Sequence, residues 1–137
     1  MKLKLTKSES ITLTNAIEYF DDFYANAVPE DENEWEDAEH EIDRINLELD
    51  DVYEQVSYSN ILEVSLNDLR NVLSALSVYK GMVKYDIANP RNIKRSKAET
   101  DLAIANAEAL LSRIMNIASN LFPDEPIEFF EIGFEPD

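Results

Sequence analysis

No cysteine occurs among the 137 residues, which removes disulfides, thiolate metal sites and cysteine nucleophiles together and suits a reducing, cytoplasmic setting. Glycine is almost as scarce. With only two glycines, no Gly-rich phosphate loop and no GxSxG nucleophile elbow can be drawn. No apolar run reaches the 18 residues that would span a membrane, and residues 1–10 carry lysines without the apolar core of a secretory signal. Positive charge is short as well. Twelve Lys and Arg stand against 29 Asp and Glu, a formal charge of −17, and this bias repels nucleic acid and anionic membrane while attracting basic surfaces. Neither direct nucleic-acid binding nor membrane association is expected.

What is present is enough apolar material to fold. A hydrophobic fraction of 45% is too high for a disordered acidic tail, and the length suits a single domain over residues 1–137. Four capping signals, each a short polar side chain followed three residues later by an acid, predict four helices: Thr6 with Glu9, Asn33 with Glu36, Ser65 with Asp68 and Ser96 with Glu99.

The first helix, 7–27, turns Ile11 or Leu13, Ile17, Phe20, Tyr24 and Ala27 to one side and stops before Pro29. In the second, 34–56, Trp35, Ala38, Ile42, Ile45, Leu49, Val52 and Val56 alternate at spacings of three and four, an unbroken heptad seam. The third, 66–87, carries Leu66, Leu69, Leu73, Leu76, Tyr79 and Val83. The fourth, 97–121, is apolar over the widest arc, which predicts contacts with more than one neighbour and a central place in the fold.

Short β signals at 2–5 and 127–134 could pair with each other, with Glu128, Glu131 and Glu135 beside Lys2 and Lys4. Leu3-Lys4-Leu5-Thr6 also aligns with Leu62-Glu63-Val64-Ser65 at an offset of 59, and both run into a capped helix. If this marks a repeat rather than two ordinary strand-to-helix junctions, the chain is built from two strand-helix-helix units and a closing strand. The expected class is therefore α+β, predominantly α, with four amphipathic helices and a small sheet from short N-terminal, central and C-terminal strands.

Candidates for chemistry are few. His40 has Glu36 one helical turn before it, a spacing that could hold a metal, but the heptad count turns His40 to solvent with nothing to complete a coordination shell. Glu36-x-x-Glu39 and Glu48-x-x-Asp51 resemble the carboxylate pairs with which helical nucleotide pyrophosphatases hold magnesium, and this is the enzymatic alternative: a Mg-dependent nucleotide hydrolase. In that family the pairs face each other from two helices, whereas here both lie on one. Asp31-x-Asn33 begins like a calcium loop, but Glu36 and Ile42 occupy the positions that need glycine and glutamate. No cofactor and no metal are therefore assigned.

Charge distribution is the strongest signal. Residues 18–54 hold 16 acids and one base, Arg44, so this stretch carries −15 and the other 100 residues only −2. Within it, Glu36, Asp37, Glu39, Glu41, Asp43, Glu48, Asp50, Asp51 and Glu54 all fall outside the heptad seam and are the expected partner-binding residues. The counterweight is the stretch 89–97, with Arg91, Lys94, Arg95 and Lys97 and no acid.

In type, a small domain so charged resembles the nucleic-acid mimics that phages direct against restriction or CRISPR nucleases, and the acidic immunity proteins and antitoxins that cap nuclease toxins. The resemblance implies a non-enzymatic inhibitor whose carboxylates fill a basic cleft of a nucleic-acid-binding protein or nuclease. A third reading pairs the heptad seam of helix two with itself in a homodimer, as a small structural oligomer.

Overall fold

The computed structural model describes residues 2–26, 32–84 and 96–129, and the side chains of all of these except 22–26, 32–39 and 41. Strand β1 (Lys2–Lys4) leads into α1 (Lys7–Asn26) and α2 (Glu32–Tyr58); β2 (Ile61–Glu63) leads into α3 (Leu66–Lys84) and α4 (Lys97–Leu121). The class is α+β and predominantly α.

Thr6 and Glu9 close the first capping box: the Glu9 amide donates to Thr6 Oγ1 at 3.1 Å and the Thr6 amide to Glu9 Oε1 at 2.9 Å. Ser65 and Asp68 repeat this at α3, and Ser96 with Glu99 at α4. Each box satisfies amides that the first helical turn leaves without partners. At the second expected cap, α2 begins at Glu32, so Asn33 lies within the helix, and its side chain is outside the described set.

Among the described residues the partner of β1 is the central strand and not the C-terminal segment. β1 pairs antiparallel with β2 in the register Lys2↔Glu63, Leu3↔Leu62, Lys4↔Ile61. The reason is burial: Leu3 and Leu62 both point into the core, while Lys2, Lys4, Ile61 and Glu63 face out. Residues 127–129 form no strand, and the rest of the expected C-terminal strand lies outside the described residues.

This ladder is centred on two residues that match at the offset of 59, so exchanging the two strand-helix-helix units maps it onto itself. Burial follows the same rule. Leu5, Thr12, Leu13, Ala16, Ile17, Tyr19 and Phe20 are buried, and so are Val64, Asn71, Val72, Ala75, Leu76, Val78 and Tyr79, position for position. The helices agree: α1 packs on α3, α1 meets α4 as α3 meets α2, and α2 and α4 do not touch among the described residues.

The centre of the fold is therefore the α1–α3 pair and not α4. α3 is buried round nearly its whole circumference, whereas α4 buries only Ala107, Leu110, Ile114 and Ala118 and leaves Leu102 and Leu121 exposed. Apolar counting misplaced the centre because Asn71, Ser74 and Ala75 are small or polar yet buried. Ser74 Oγ donates to the Arg70 carbonyl at 3.0 Å, and Asn71 is bonded across to α2. Tyr19 and Tyr79 meet edge to face across the central pair, centroids 5.0 Å apart, a geometry contributing about 1 kcal/mol.

The described part of the α2 seam is intramolecular core: Ile42, Ile45, Leu49, Val52 and Val56 are all buried in the same cluster as α1 and α3, while the side chains of Trp35 and Ala38 lie outside the described set. Ile45→Asp and Leu49→Asp should each cost several kcal/mol, because an unpaired carboxylate would sit in an apolar contact. Thermal melts followed by circular dichroism are expected to show both variants unfolded or deeply destabilised.

Candidate functional site

The outer surface of α2 is the candidate site. From Ile42 to Val56 its seam is held against the core, and the positions opposite the seam in that stretch turn to solvent by helical geometry. Asp50, Asp51 and Glu54 are exposed, as their places outside the seam predict, whereas Asp43 is half-buried. Glu36, Asp37, Glu39 and Glu41 lie on the same helix, with their side chains outside the described set. His40 is exposed, as expected.

Glu48 is different. Its carboxylate turns towards α3, where Oε2 accepts from Asn71 Nδ2 at 2.6 Å and Asn67 Nδ2 at 2.7 Å, and from Arg44 Nη1 of its own helix at 2.8 Å. Burial alone raises the Glu48 carboxyl, but the two amides and the Arg44 guanidinium outweigh it and hold it below the ordinary value of 4.5. Glu48 is thus a fastening between the two units. Arg44, the one base of the acidic stretch, is drawn into the same fastening.

Pseudo-symmetry explains this. When α2 and α4 are matched through their buried positions, Ile42 with Ala107, Ile45 with Leu110 and Leu49 with Ile114, Glu48 stands where Arg113 does. Arg113 makes the corresponding reach onto α1: Nη1 donates to both Glu9 oxygens at 2.7 Å and Nη2 to the Lys4 carbonyl at 2.9 Å. Each outer helix is pinned to the first turns of the other unit's inner helix, once through a carboxylate and once through a guanidinium.

Outward-facing carboxylates continue from α2 onto α1. Tyr53 donates its hydroxyl to Glu18 Oε1 at 3.1 Å, and Asn46 Nδ2 donates to Asp21 Oδ1 at 3.1 Å. Glu18 and Asp21 belong to the acidic stretch by sequence, but their place beside α2 follows only from the α1–α2 hairpin.

Sequence reasoning missed the apolar members of this surface. Leu47 is 64% exposed, Tyr58 86% and Ile61 49%. Leu47 and Tyr58 stand off the heptad seam at positions an amphipathic helix gives to water, and that was the available signal. At the end of α2 a hollow of about 400 Å³ is lined by Asp51, Glu54, Gln55, Tyr58, Ser59 and Ile61.

Of the four carboxylates in the magnesium reading, Glu48 bonds towards α3 and Asp51 accepts from Gln55 Nε2 at 3.3 Å on the exposed side, while the side chains of Glu36 and Glu39 lie outside the described set. Among the described residues no three His, Asp or Glu are grouped to hold a metal. The basic stretch lies outside the described residues up to Arg95; Lys97 opens α4 exposed, and Lys80 approaches Glu108 of α4 at 3.9 Å. A larger groove of about 590 Å³ lies between α1 and α4 beside Ile11, Asn15, Tyr79, Leu102 and Asn106, remote in character from the acidic face.

Two stability measurements check this division of roles. Glu48→Lys should lose about 2 kcal/mol in urea denaturation, because it strands the buried Asn71 amide, while Asp51→Lys should leave stability within experimental scatter. The Glu9 carboxyl, raised by burial but lowered further by the Thr6 amide and by Arg113, lies below its ordinary 4.5. A lowered folded-state value means that ionised Glu9 stabilises the fold above the unfolded value and that this contribution is lost as pH falls through the folded one. The gap in melting temperature between wild type and Glu9→Gln should accordingly be full at pH 7, about 1 kcal/mol in free energy, and close on acidification below 4.5. In comparisons with known proteins the chain matches no family model, no curated protein and no solved structure.

Proposed function

We propose that this chain is an acidic protein-binding inhibitor that occupies a basic, nucleic-acid-binding cleft of a partner protein, acting in the cytoplasm without catalysis of its own. One observation carries the reading: residues 18–54 hold 16 acids and a single base, Arg44, and that base is paired with Glu48 of its own helix. Solvated helix faces are ordinarily balanced by lysine and arginine, because like charges one turn apart cost a few tenths of a kcal/mol each.

Residues 34–54 carry ten acids and Arg44, a net −9 over about 31 Å at 1.5 Å per residue. That is about one charge per 3.5 Å, against roughly 3.4 Å per phosphate along one DNA strand. A row of carboxylates at phosphate-like linear density along one helix suits a cleft built for nucleic acid, in the manner of anti-restriction, anti-CRISPR or nuclease-immunity proteins. The absence of cysteine suits a cytoplasmic site of action, and no helix among the described residues is long and apolar enough to cross a membrane.

The test is a charge reversal that leaves the internal fastening alone. Asp43, Asp50, Asp51 and Glu54 changed together to lysine should abolish capture of the partner at 0.01 M salt without lowering the melting temperature, because like-charge repulsion is removed and Glu48 is untouched. Wild-type binding should weaken steeply as the Debye length shrinks from about 30 Å at 0.01 M to about 8 Å at 0.15 M, and nucleic acid should compete for the captured protein. A folded quadruple variant that binds at wild-type strength overturns the reading.

A further inference from the structure

We propose that the outer ridge of α2 seats an arginine side chain of the basic partner in the hollow between Asp51, Glu54, Tyr58 and Ile61, with Leu47 as a neighbouring apolar contact. This deepens the inhibitor reading and rests on it. A surface selected only for negative field has no use for exposed apolar side chains, which lose free energy in water without adding charge. Yet Leu47, Tyr58 and Ile61 are three of the six large apolar side chains exposed on the described surface; Tyr58 and Ile61 line one hollow with Asp51 and Glu54, and Leu47 stands one helical turn before Asp51.

Helical spacing places them together. Leu47, Asp51, Glu54 and Tyr58 follow one another at intervals of four, three and four, the separation at which side chains on a helix are neighbours. α2 ends at Tyr58, and the chain turns back through Ser59 so that Ile61, the first residue of β2, stands across the hollow from Tyr58. The Ile61 amide donates to Ser59 Oγ at 3.1 Å and the Ser59 amide to the Gln55 carbonyl at 2.9 Å, which fixes this corner. Gln55 fixes it from below, its side-chain amide bonding both the amide and the carbonyl of Glu63 at 2.8 and 3.3 Å. The walls of the hollow are therefore anchored at both ends of the turn.

The lining selects the ligand class. Two carboxylates supply acceptors for the paired N–H groups of a guanidinium, Tyr58 offers an aromatic face on which its plane can stack, and Ile61 covers its aliphatic stem. Lysine satisfies the charge but neither the paired donors nor the stacking, so charge complementarity and shape together favour arginine. Arginine is also the residue with which nucleic-acid-binding clefts most often grip phosphate and guanine, which makes it the side chain that a mimic meets there.

The probes are hexa-arginine and hexa-lysine peptides, titrated calorimetrically into the full chain at 0.15 M NaCl, with the Tyr58 ring signals followed by NMR. Expected are tighter binding of hexa-arginine than of hexa-lysine, movement of the Tyr58 signals on arginine only, and loss of about tenfold in hexa-arginine affinity in Tyr58→Ala. Tyr58→Phe should restore the preference. Leu47→Ala should lower affinity for the natural partner with unchanged salt dependence, since no charge is altered. The inference is overturned if both peptides bind alike and Tyr58→Ala and Leu47→Ala behave as wild type. When in that case the quadruple charge reversal still abolishes binding, the acidic face acts as a field alone and the inhibitor reading stands; when it does not, both fall.

Discussion

Everything in this fold depends on the buried contact between α1 and α3. Each strand-helix-helix unit is a helical hairpin with one short strand, and neither can cover its inner helix alone. Joined about Leu3 and Leu62, the units give each inner helix three neighbours: its own outer helix, the other inner helix and the other unit's outer helix. Apolar burial of this kind contributes roughly 25 cal/mol per Å², so the shared surface, more than any single hydrogen bond, holds the halves together.

Fastening of the outer helices follows from that arrangement. Arg113 holds α4 to the start of α1 and Glu48 holds α2 to the start of α3, two solutions of opposite charge to one geometric need. The choice has a consequence for the surface. The second fastening engages Arg44, the one base of α2, with Glu48, so the charge of that base is matched within the helix and the acids around it set the sign of the surface field.

Strand ends are managed differently on the two edges of the sheet. On β2, Gln55 takes up the outward amide and carbonyl of Glu63, and Ser59 takes the Ile61 amide, so the edge is closed to strand addition by side chains of α2 and its turn. On β1, Arg113 takes the Lys4 carbonyl, and Lys2 and Lys4 put positive charge along the edge, a common device against edge-to-edge pairing.

Helix existence was legible in the sequence because it is governed by local chemistry: the Thr6, Ser65 and Ser96 boxes satisfy amides of their own first turns, and the α2 seam repeats at a spacing only a helix can bury on one side. The repeat was legible at Leu3 and Leu62 for the same reason. What sequence could not decide is which helix is central, because Asn71, Ser74 and Ala75 do not read as core until their partners on α2 and on the preceding turn of α3 are known. Nor could it separate Glu48 from Asp51. Both are acids outside the seam on one helix, and only the packing of α2 against α3 turns the first inward to Asn67 and Asn71 while leaving the second in water. Charge, caps and periodicity are properties of neighbours along the chain; centrality and the role of a given carboxylate are properties of neighbours in space, and those were fixed when the two units closed on each other.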